Sequence, residues 1–269
     1  MTEQPVTTVM TVADGVARIS WAAGEPVDVV RREVAAALTT HTRVEVLVDP
    51  DDQQAQRTAT WSGMRREGIM RGVTVEGRTV DRIVYARLAS DLPLGEPEGF
   101  RAILNSFLPR KRAIGQMLIR AAGPAAGVEQ ERVLMCQLTY KPDWDLPGGV
   151  IEVDESPRLG VTRELEEELG VTIAAGELLL TDWLPPWSGW EDALCLVFDG
   201  GVHDPALTSR VVREVREIST VEFCTLEQVR ERAADFTARR VEAALARAHG
   251  SGSPYSESGR TGDLATGRP

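Results

Sequence analysis

The stretch GGVIEVDESPRLGVTRELEEELGV, from Gly148 to Val171, decides how the C-terminal half of this chain folds. Ser156 and Pro157 are typical of a helix start, because Ser can cap free N–H groups and Pro suits the first helical position. Gly170 is typical of a helix end, since Gly tolerates the left-handed conformation found there. Between them an apolar residue recurs at every fourth position and predicts one buried stripe, formed by Val161, Leu165 and Leu169.

Acidic residues crowd one side of this helix. Glu164 stands three residues before Glu167 and four before Glu168, so the three carboxylates can converge on one point. Like charges at these spacings destabilise a helix by roughly 0.2–0.5 kcal/mol per pair. A divalent cation would turn that repulsion into binding. The alternative is a solvated acidic face, which is the commoner situation for a Glu-rich helix taken alone.

The residues around the helix favour the cation. Read from Gly149, the chain has a Gly, five residues, Glu155, seven residues, Arg163-Glu164-Leu165, one residue, Glu167-Glu168, one residue and Gly170-Val171. This pattern resembles the box of the Nudix hydrolase family at every defining position. The resemblance implies an α/β/α sandwich with a mixed sheet. It also implies hydrolysis of the pyrophosphate in a nucleoside diphosphate linked to another group, such as an ADP-ribose-like compound or a nucleoside triphosphate.

The resemblance also implies the roles of the site residues. A Mg²⁺ ion, or Mn²⁺ in its place, would be held by Glu164, Glu167 and Glu168 together with a backbone carbonyl of the glycine pair, Gly149 or Gly148. Mg²⁺ prefers six oxygen ligands, so a few carboxylates and the substrate phosphates can complete its shell. Arg163 is expected to orient a carboxylate rather than to touch substrate.

Other carboxylates around the helix are expected to have supporting roles or none. Glu155 is expected to brace the loop before the helix, and Glu152 to pair with a basic group or approach the metal from behind its ligands. Glu166 falls on another face of the helix and is expected to be solvated. Many family members use a further carboxylate after the box as base or ligand. Here Glu217 is preferred over Glu214 for that role, with a plain surface position as the alternative.

Recognition of the group linked to the nucleotide leaves fewer signals. The loop DWLPPWSGWEDA, residues 182–193, contains three Trp rings on which a base could stack, although packing into a core is at least as common for Trp. Pro186 lies near a position where ADP-ribose-cleaving members of the family often carry Pro. Lys141 could meet phosphate or be solvated. The three rings belong to Trp183, Trp187 and Trp190.

Composition bounds the remaining possibilities. The 269 residues are 42% hydrophobic, enough for one large or two small domains, and the formal net charge is −11. Strong acidity argues against a nucleic-acid or anionic-membrane surface. Three cysteines without zinc spacing, no signal-peptide pattern and no long apolar run favour a cytoplasmic protein with a small-molecule nucleotide substrate.

The C-terminal half is expected to form one domain, residues 111–249, followed by a disordered tail, residues 250–269. The polar, acidic and Pro-rich segment 89–99 predicts a domain junction, so residues 91–110 are assigned as a linker with a short helix at 100–108. Residues 226–249 are expected to form one final helix. Five strands are expected at residues 113–122, 132–140, 177–184, 192–199 and 221–226.

Residues 1–90 alternate strand-like and helix-like segments. The segment 44–88 resembles the C-terminal half of a GNAT-family N-acetyltransferase: a strand, a helix with Arg57 and Gly63, then a hairpin ending in Asp81 and Tyr85. The Gly-rich turn that would cradle the pyrophosphate of acetyl-CoA is missing, and AAGEPVDVV stands in its place. We therefore expect a truncated GNAT-like half-domain with a structural or interaction role, for which a homodimer is one arrangement.

Three hypotheses follow for the whole chain. The first is a Mg²⁺-dependent pyrophosphohydrolase. The second is a catalytically silent ligand-sensing or interaction module, in which the box is a relic of the fold. The third is a working acetyltransferase with an accessory Nudix domain, which the missing phosphate cradle disfavours. The intact set of repelling carboxylates favours the first.

Overall fold

A computed structural model describes residues 7–75, 77–121, 131–187 and 189–260. The chain divides into two compact units, Met1–Pro109 and Arg110–Pro269, so the helix expected at 100–108 belongs to the first unit. Among the described residues, no helix has both the length and the apolar character needed to cross a bilayer.

The first unit is a five-stranded sheet with three helices. The strands are β1 Thr8–Ala13, β2 Val16–Ser20, β3 Arg43–Val48, β4 Arg65–Val75 and β5 Arg78–Leu88, and the helices are α1 Val27–Ala37, α2 Gln53–Trp61 and α3 Pro97–Phe107. The strand order is β1-β2-β3-β5-β4, with β2 and β3 parallel and the other neighbours antiparallel. The parallel pair is joined through α1, the crossover that such a pair requires.

The core of this unit follows from alternation in its strands. In β3 every second residue is buried, and these valines pack with Val30 and Val34 of α1 and Ala59 of α2. The N-cap of α2 is Asp52, whose carboxylate accepts the Ala55 N–H at 2.9 Å.

The second unit is built on a mixed sheet. Its strands are β6 Arg112–Ala121, β7 Arg132–Leu138, β8 Trp144–Asp145, β9 Gly148–Val150, β10 Leu178–Leu184, β11 Ala193–His203, β12 Ile218–Thr225 and β13 Tyr255–Glu257. The strand order is β12-β7-β6-β11-β10-β13, with β8 paired to β7 and β9 to β6. A 3₁₀ helix, Pro205–Arg210, follows β11. The helices are α4 Pro157–Leu169, α5 Leu226–Arg232 and α6 Asp235–Ala248.

Alternating side chains of the central strands separate two cores. Met117 and Ile119 of β6 pack with the apolar stripe of α4, whereas Leu118 between them packs with the helices after β12. β7 repeats the pattern, since Leu134 joins the first core and Met135 the second. This is an α/β/α sandwich with a mixed sheet, and the predicted fold class is confirmed.

The end of the unit differs from the expectation in two places. The predicted single helix over 226–249 is interrupted at Ala233 and Ala234, whose backbones are extended. Ala233 forms a parallel bridge with Trp144, so pairing with β8 overrides the helix preference of two alanines. Residues 250–260, assigned to a disordered tail, contain β13, which pairs in parallel with β10 and buries Ser256. Residues 261–269 lie outside the described residues.

Candidate active site

Helix α4 is held in a fixed orientation by its apolar stripe. Ser156 and Pro157 begin the helix, although the Ser156 side chain makes no capping bond, and Gly170 ends it with φ of 64°. The three apolar residues of the predicted stripe, Val161, Leu165 and Leu169, are fully buried. With that face against the sheet, the neighbouring acidic face meets the glycine pair of β9.

The glycine pair lets the backbone approach both the sheet and the helix. Gly148 has φ of 131°, and a Cβ there would lie 2.1 Å from the carbonyl oxygen of Gly115 in β6. A Cβ on Gly149 would lie 2.5 Å from the carboxyl carbon of Glu164. The Gly148 N–H donates to Glu168 Oε2 at 3.3 Å. Two carboxylates of α4 therefore lie directly against the glycine pair.

Arg163 fixes the other two carboxylates of the box. Its Nε and Nη2 donate to the two oxygens of Glu155 at 2.8 and 3.0 Å, a bidentate pair. Its Nη1 donates to Glu167 Oε2 at 2.8 Å and lies 3.1 Å from Glu164 Oε1. The bonds from Arg163 lower the pKa of Glu155 to about 2. Glu155 also accepts the Glu152 N–H, so it ties the loop to the helix.

Gly160 contributes to this bracing, a role that the sequence did not suggest. A Cβ at position 160 would lie 2.7 Å from Glu155 Oε2 and 2.8 Å from Ile151 Cδ1. An Ala in its place would push against a carboxylate that Arg163 holds still. The absence of a side chain at this helical position thus makes room for the Glu155–Arg163 pair.

The environment of Glu168 and Glu164 disfavours their charged forms. Burial raises the pKa of Glu168 to about 8. The hydrogen bond from the Gly148 N–H lowers this pKa, whereas the charges of Glu164, Glu217 and Asp145 raise it further. Burial also raises the pKa of Glu164, opposed by Arg163. A cation beside these two carboxylates would favour their charged forms.

The predicted ligand set is only partly brought together. Glu164 and Glu168 meet at Gly148 and Gly149, but Glu167 turns outward to Arg163, with a side chain that is 59% exposed. Over residues 7–75, 77–121, 131–187 and 189–260, no three His, Cys, Asp or Glu side chains are grouped so that they could hold a metal ion. Glu166 is exposed and accepts a hydrogen bond from Thr172, as its place outside the acidic face suggests.

The two downstream carboxylates differ in their surroundings. Glu214 is bound by Arg216 Nε at 3.0 Å, and these bonds lower the pKa of the Glu214 carboxyl. The charge of Glu217 instead raises the pKa of both Glu164 and Glu168. The structure thus brings Glu217 rather than Glu214 into electrostatic contact with the carboxylate pair.

Tyr140 belongs to the same surroundings and was missed by sequence analysis. The residue is 70% exposed, yet desolvation of its hydroxyl and the charges of Asp145, Glu168, Glu217 and Glu164 raise the pKa of that hydroxyl. Its only signal in the sequence is its position in the connection between a buried strand and the glycine pair. Nothing in its residue type separates it from an ordinary surface Tyr.

A polar network lies behind the carboxylate pair, centred on Asp145. This carboxylate accepts bonds from Gln116 Nε2 at 2.8 Å and from Lys141 Nζ at 3.0 Å. Lys141, which could have been solvated or bound to phosphate, is thereby paired within the protein. Gln116 Oε1 in turn accepts a bond at 3.1 Å from Arg240, a buried residue of α6 that no motif pointed to.

The three Trp residues have different environments. Trp183 lies at the end of β10 and donates its ring N–H to Asp192 at 3.3 Å, so it is part of the packed structure. Trp187 and Trp190 form a bridge across a tight turn and are more than half exposed. The Trp187 ring contacts Phe236 at 5.7 Å between centroids, and Arg112 lies 4.8 Å above the Trp190 ring. Pro186 borders the same turn.

The C-terminal half of the chain, which contains this site, is similar to known proteins. Residues 117–245 match the model of the family described as NUDIX domain. A MutT-like protein of Streptomyces ambofaciens is 44% identical over 50 residues, which are 19% of this chain and 32% of that protein. An RNA pyrophosphohydrolase of Gluconacetobacter diazotrophicus is 35% identical over 86 residues, 29% of this chain and 47% of that protein. The chain thus spans less than half the length of each of these two relatives.

Among solved structures, a MutT protein from Methanosarcina mazei Go1 is similar over 54% of this chain and 98% of its own. The sequence identity is 22% and the TM-score 0.41. The GNAT-like character of residues 1–90 stays a prediction.

Proposed function

Because residues 117–245 form a Nudix domain, we propose that this protein hydrolyses the pyrophosphate bond of a nucleoside diphosphate linked to another group. The observation that carries the proposal is the division of labour within the box. Arg163 neutralises Glu155 and Glu167, while Glu164 and Glu168 stay beside the glycine pair with raised pKa values. Such shifts at a set of facing groups are typical of functional sites.

The donor set suits Mg²⁺, or Mn²⁺ in its place. Carboxylate and carbonyl oxygens are the ligands these hard cations prefer, and Glu164, Glu168 and the carbonyl of Gly149 would hold the ion. Glu167 could bind the ion only if its hydrogen bond with Arg163 broke, so we propose it as a secondary ligand. When bound, the cation would neutralise phosphate charge and make bound water more acidic.

The protein's own residues would position and deprotonate the water. Water attacks one phosphorus, and the bond from that phosphorus to the bridging oxygen breaks. The proton of the water goes to a carboxylate, for which we propose Glu217. The products are a nucleoside monophosphate and the phosphorylated second group. Arg163 acts as a positioning residue, because its four bonds keep the loop and the acidic face of α4 in one arrangement.

A substrate screen tests the proposal. The candidates are nucleotide sugars, dinucleotides, ADP-ribose, nucleoside triphosphates and, because one relative is an RNA pyrophosphohydrolase, a 5′-triphosphorylated RNA. Each is incubated with Mg²⁺ or Mn²⁺, and nucleoside monophosphate or phosphate release is measured. We expect cation-dependent turnover of at least one class. No turnover in any combination would favour the silent module instead.

The assignment of the base gives a prediction with a built-in control. Glu217→Gln should lower kcat by about 10²–10⁴-fold, the usual range for loss of a general base. Binding of Mn²⁺, measured by electron paramagnetic resonance, should change little. Glu214→Gln should keep most of the rate, because Glu214 is engaged by Arg216. A full rate for Glu217→Gln beside a crippled Glu214→Gln would transfer the role to Glu214.

For residues 1–90 we propose a structural or interaction role without acetyl transfer. Helix α1 follows Pro26, which has no N–H to offer a phosphate, and Glu25 beside it is buried with one carboxylate oxygen unpartnered. A carboxylate at the start of this helix would repel an anion there. Calorimetric titration of the full chain with acetyl-CoA should give only heat of dilution, whereas micromolar binding would contradict the proposal.

A further inference from the structure

Helix α6 carries three buried polar atoms that have no hydrogen-bond partner among the described residues: Thr237 Oγ1, Arg240 Nη2 and, in the last turn, Arg247 Nε. Thr237 and Arg240 are each 1% exposed, and they stand three positions apart, on the same side of the helix. An unpartnered buried donor costs free energy, and a cationic one costs more. Native proteins keep such groups where something else supplies the partner.

The guanidinium of Arg240 is held rigidly by its other nitrogens. Its Nε donates to Asp182 Oδ2 at 2.8 Å, and its Nη1 donates to Gln116 Oε1 at 3.1 Å. Asp182 is itself fixed, because Oδ1 accepts bonds from Ser256 Oγ at 2.7 Å and from the Gly259 N–H at 2.8 Å. The chain after α6 thus locks the orientation in which Nη2 stays free.

The guanidinium of Arg240 has an acidic neighbour and an aromatic neighbour. Arg240 Nη1 is 3.8 Å from Asp145 Oδ1, and the charge of Asp145 acts on Glu168. The Phe236 ring lies 5.7 Å from Arg240 Cζ and contacts the exposed Trp187. A flat ligand that displaces or stacks on Phe236 would reach the guanidinium while its phosphates extend toward Glu168.

We propose that Arg240 Nη2 and Thr237 Oγ1 read the base of the substrate nucleotide and select bases with a carbonyl oxygen: guanine, cytosine or uracil. This inference rests on the proposed function of the same site. A guanidinium only donates, so it needs an acceptor such as an exocyclic carbonyl oxygen, and the Thr hydroxyl can donate to or accept from the neighbouring base atom. Adenine has no carbonyl oxygen: its exocyclic amino group is itself a donor, and its only acceptors are ring nitrogens. A site built on hydrogen bonds rejects a ligand that leaves its buried groups unpaired.

Binding to the full chain in EDTA tests the inference without hydrolysis. The probes are GMP, CMP, UMP and AMP, with ribose 5-phosphate as the ligand without a base, and affinities are measured by calorimetry. At least one oxo-base nucleotide should bind about tenfold more tightly than AMP. Equal affinity for all four nucleotides, or no saturable binding by any of them, would overturn the proposal.

The matched variant is Thr237→Val, which keeps the shape and removes only the hydroxyl. Since that hydroxyl is unpartnered, the variant should be as stable as wild type or more so in urea unfolding. Its affinity for the favoured nucleotide should fall about fivefold or more, with ribose 5-phosphate unchanged. A stable Thr237→Val protein with unchanged nucleotide affinities would show that the hydroxyl contacts no ligand, and this result would contradict the proposal.

Arg240→Lys supplies the second arm, because a Lys ammonium cannot form the same planar set of bonds. It should reduce discrimination between oxo bases and adenine, whereas unchanged discrimination would count against Arg240. These results separate from those of the substrate screen. Hydrolysis without base selectivity would support the proposed function and contradict this inference. Selective binding of oxo-base nucleotides without any hydrolysis would support base recognition and contradict the proposed function.

Discussion

Replacing Glu168 by Gln should lower Mg²⁺-dependent hydrolysis by about 10²–10³-fold or more, the range seen when one preorganised electrostatic group is removed from an active site. Gln keeps the shape of the side chain and can still accept the bond from the Gly148 N–H, so the fold should survive. Glu164→Gln should act in the same direction, since its carboxylate lies against Gly149. Turnover of the substrate found in the screen is the measurement.

The same variant should be more stable than wild type in metal-free buffer at pH 8. The pKa of Glu168 is raised from 4.5 to about 8 in the folded protein. Between these values the unfolded chain has lost its proton and the folded chain retains it, so stability falls as pH rises through this window. The full shift corresponds to a loss of unfolding free energy on the order of a few kcal/mol. Glu168→Gln does not lose this free energy, because Gln has no proton to release.

Urea unfolding in EDTA at pH 5 and pH 8 measures this difference. Wild type should lose more stability than Glu168→Gln between the two pH values. Glu166→Gln is the matched control on the same helix, because Glu166 is exposed and away from the glycine pair. It should change neither the rate nor the pH dependence. Near-full activity of Glu168→Gln, or parallel pH profiles for it and wild type, would contradict the assignment.

Local signals were enough to predict α4, whereas the layers of the sandwich were implied by the resemblance to the family's box. Ser156-Pro157, the four-residue apolar repeat and Gly170 act within one or two helical turns, so the sequence contains the whole cause of the helix. The apolar segments 113–122 and 132–140 likewise predict strands, and the structure buries both faces of each. The family pattern added which carboxylates lie near the glycine pair.

Contacts between distant residues explain what could not be predicted. Ala233 and Ala234 favour a helix locally, and only pairing with Trp144 pulls them out of it. Residues 250–260 are polar and rich in Gly and Ser, yet Ser256 and Gly259 both donate to the buried carboxylate of Asp182, which lies 74 and 77 residues earlier in the chain. The partners of Arg163 also depend on how the loop before α4 folds. In this arrangement Arg163 binds Glu167, and the Glu167 side chain points outward.

Asp182→Ala should destabilise the second unit by about 3–5 kcal/mol, because it leaves the charge of a buried Arg240 without its closest partner. Arg240 Nε would lose its bond, and Ser256 Oγ and the Gly259 N–H would lose their acceptor. Urea unfolding followed by circular dichroism at pH 7 is the measurement. The matched control is Glu242→Ala, at a position on the same helix as Arg240. It breaks the exposed ion pair of Glu242 with Arg230 of α5, at 2.7 Å, and should cost about 1 kcal/mol or less.

Two further variants separate charge burial from simple loss of packing. Ser256→Ala removes one neutral donor to Asp182 and should cost about 1 kcal/mol, which would tie residues 255–260 to the stability of the domain. The double change Asp182→Leu with Arg240→Met removes both charges at similar volume and should regain most of the stability, as buried ion pairs replaced by apolar residues commonly do. If Asp182→Ala cost no more than Glu242→Ala, the buried pair would not be what holds the C-terminal segment to the sheet.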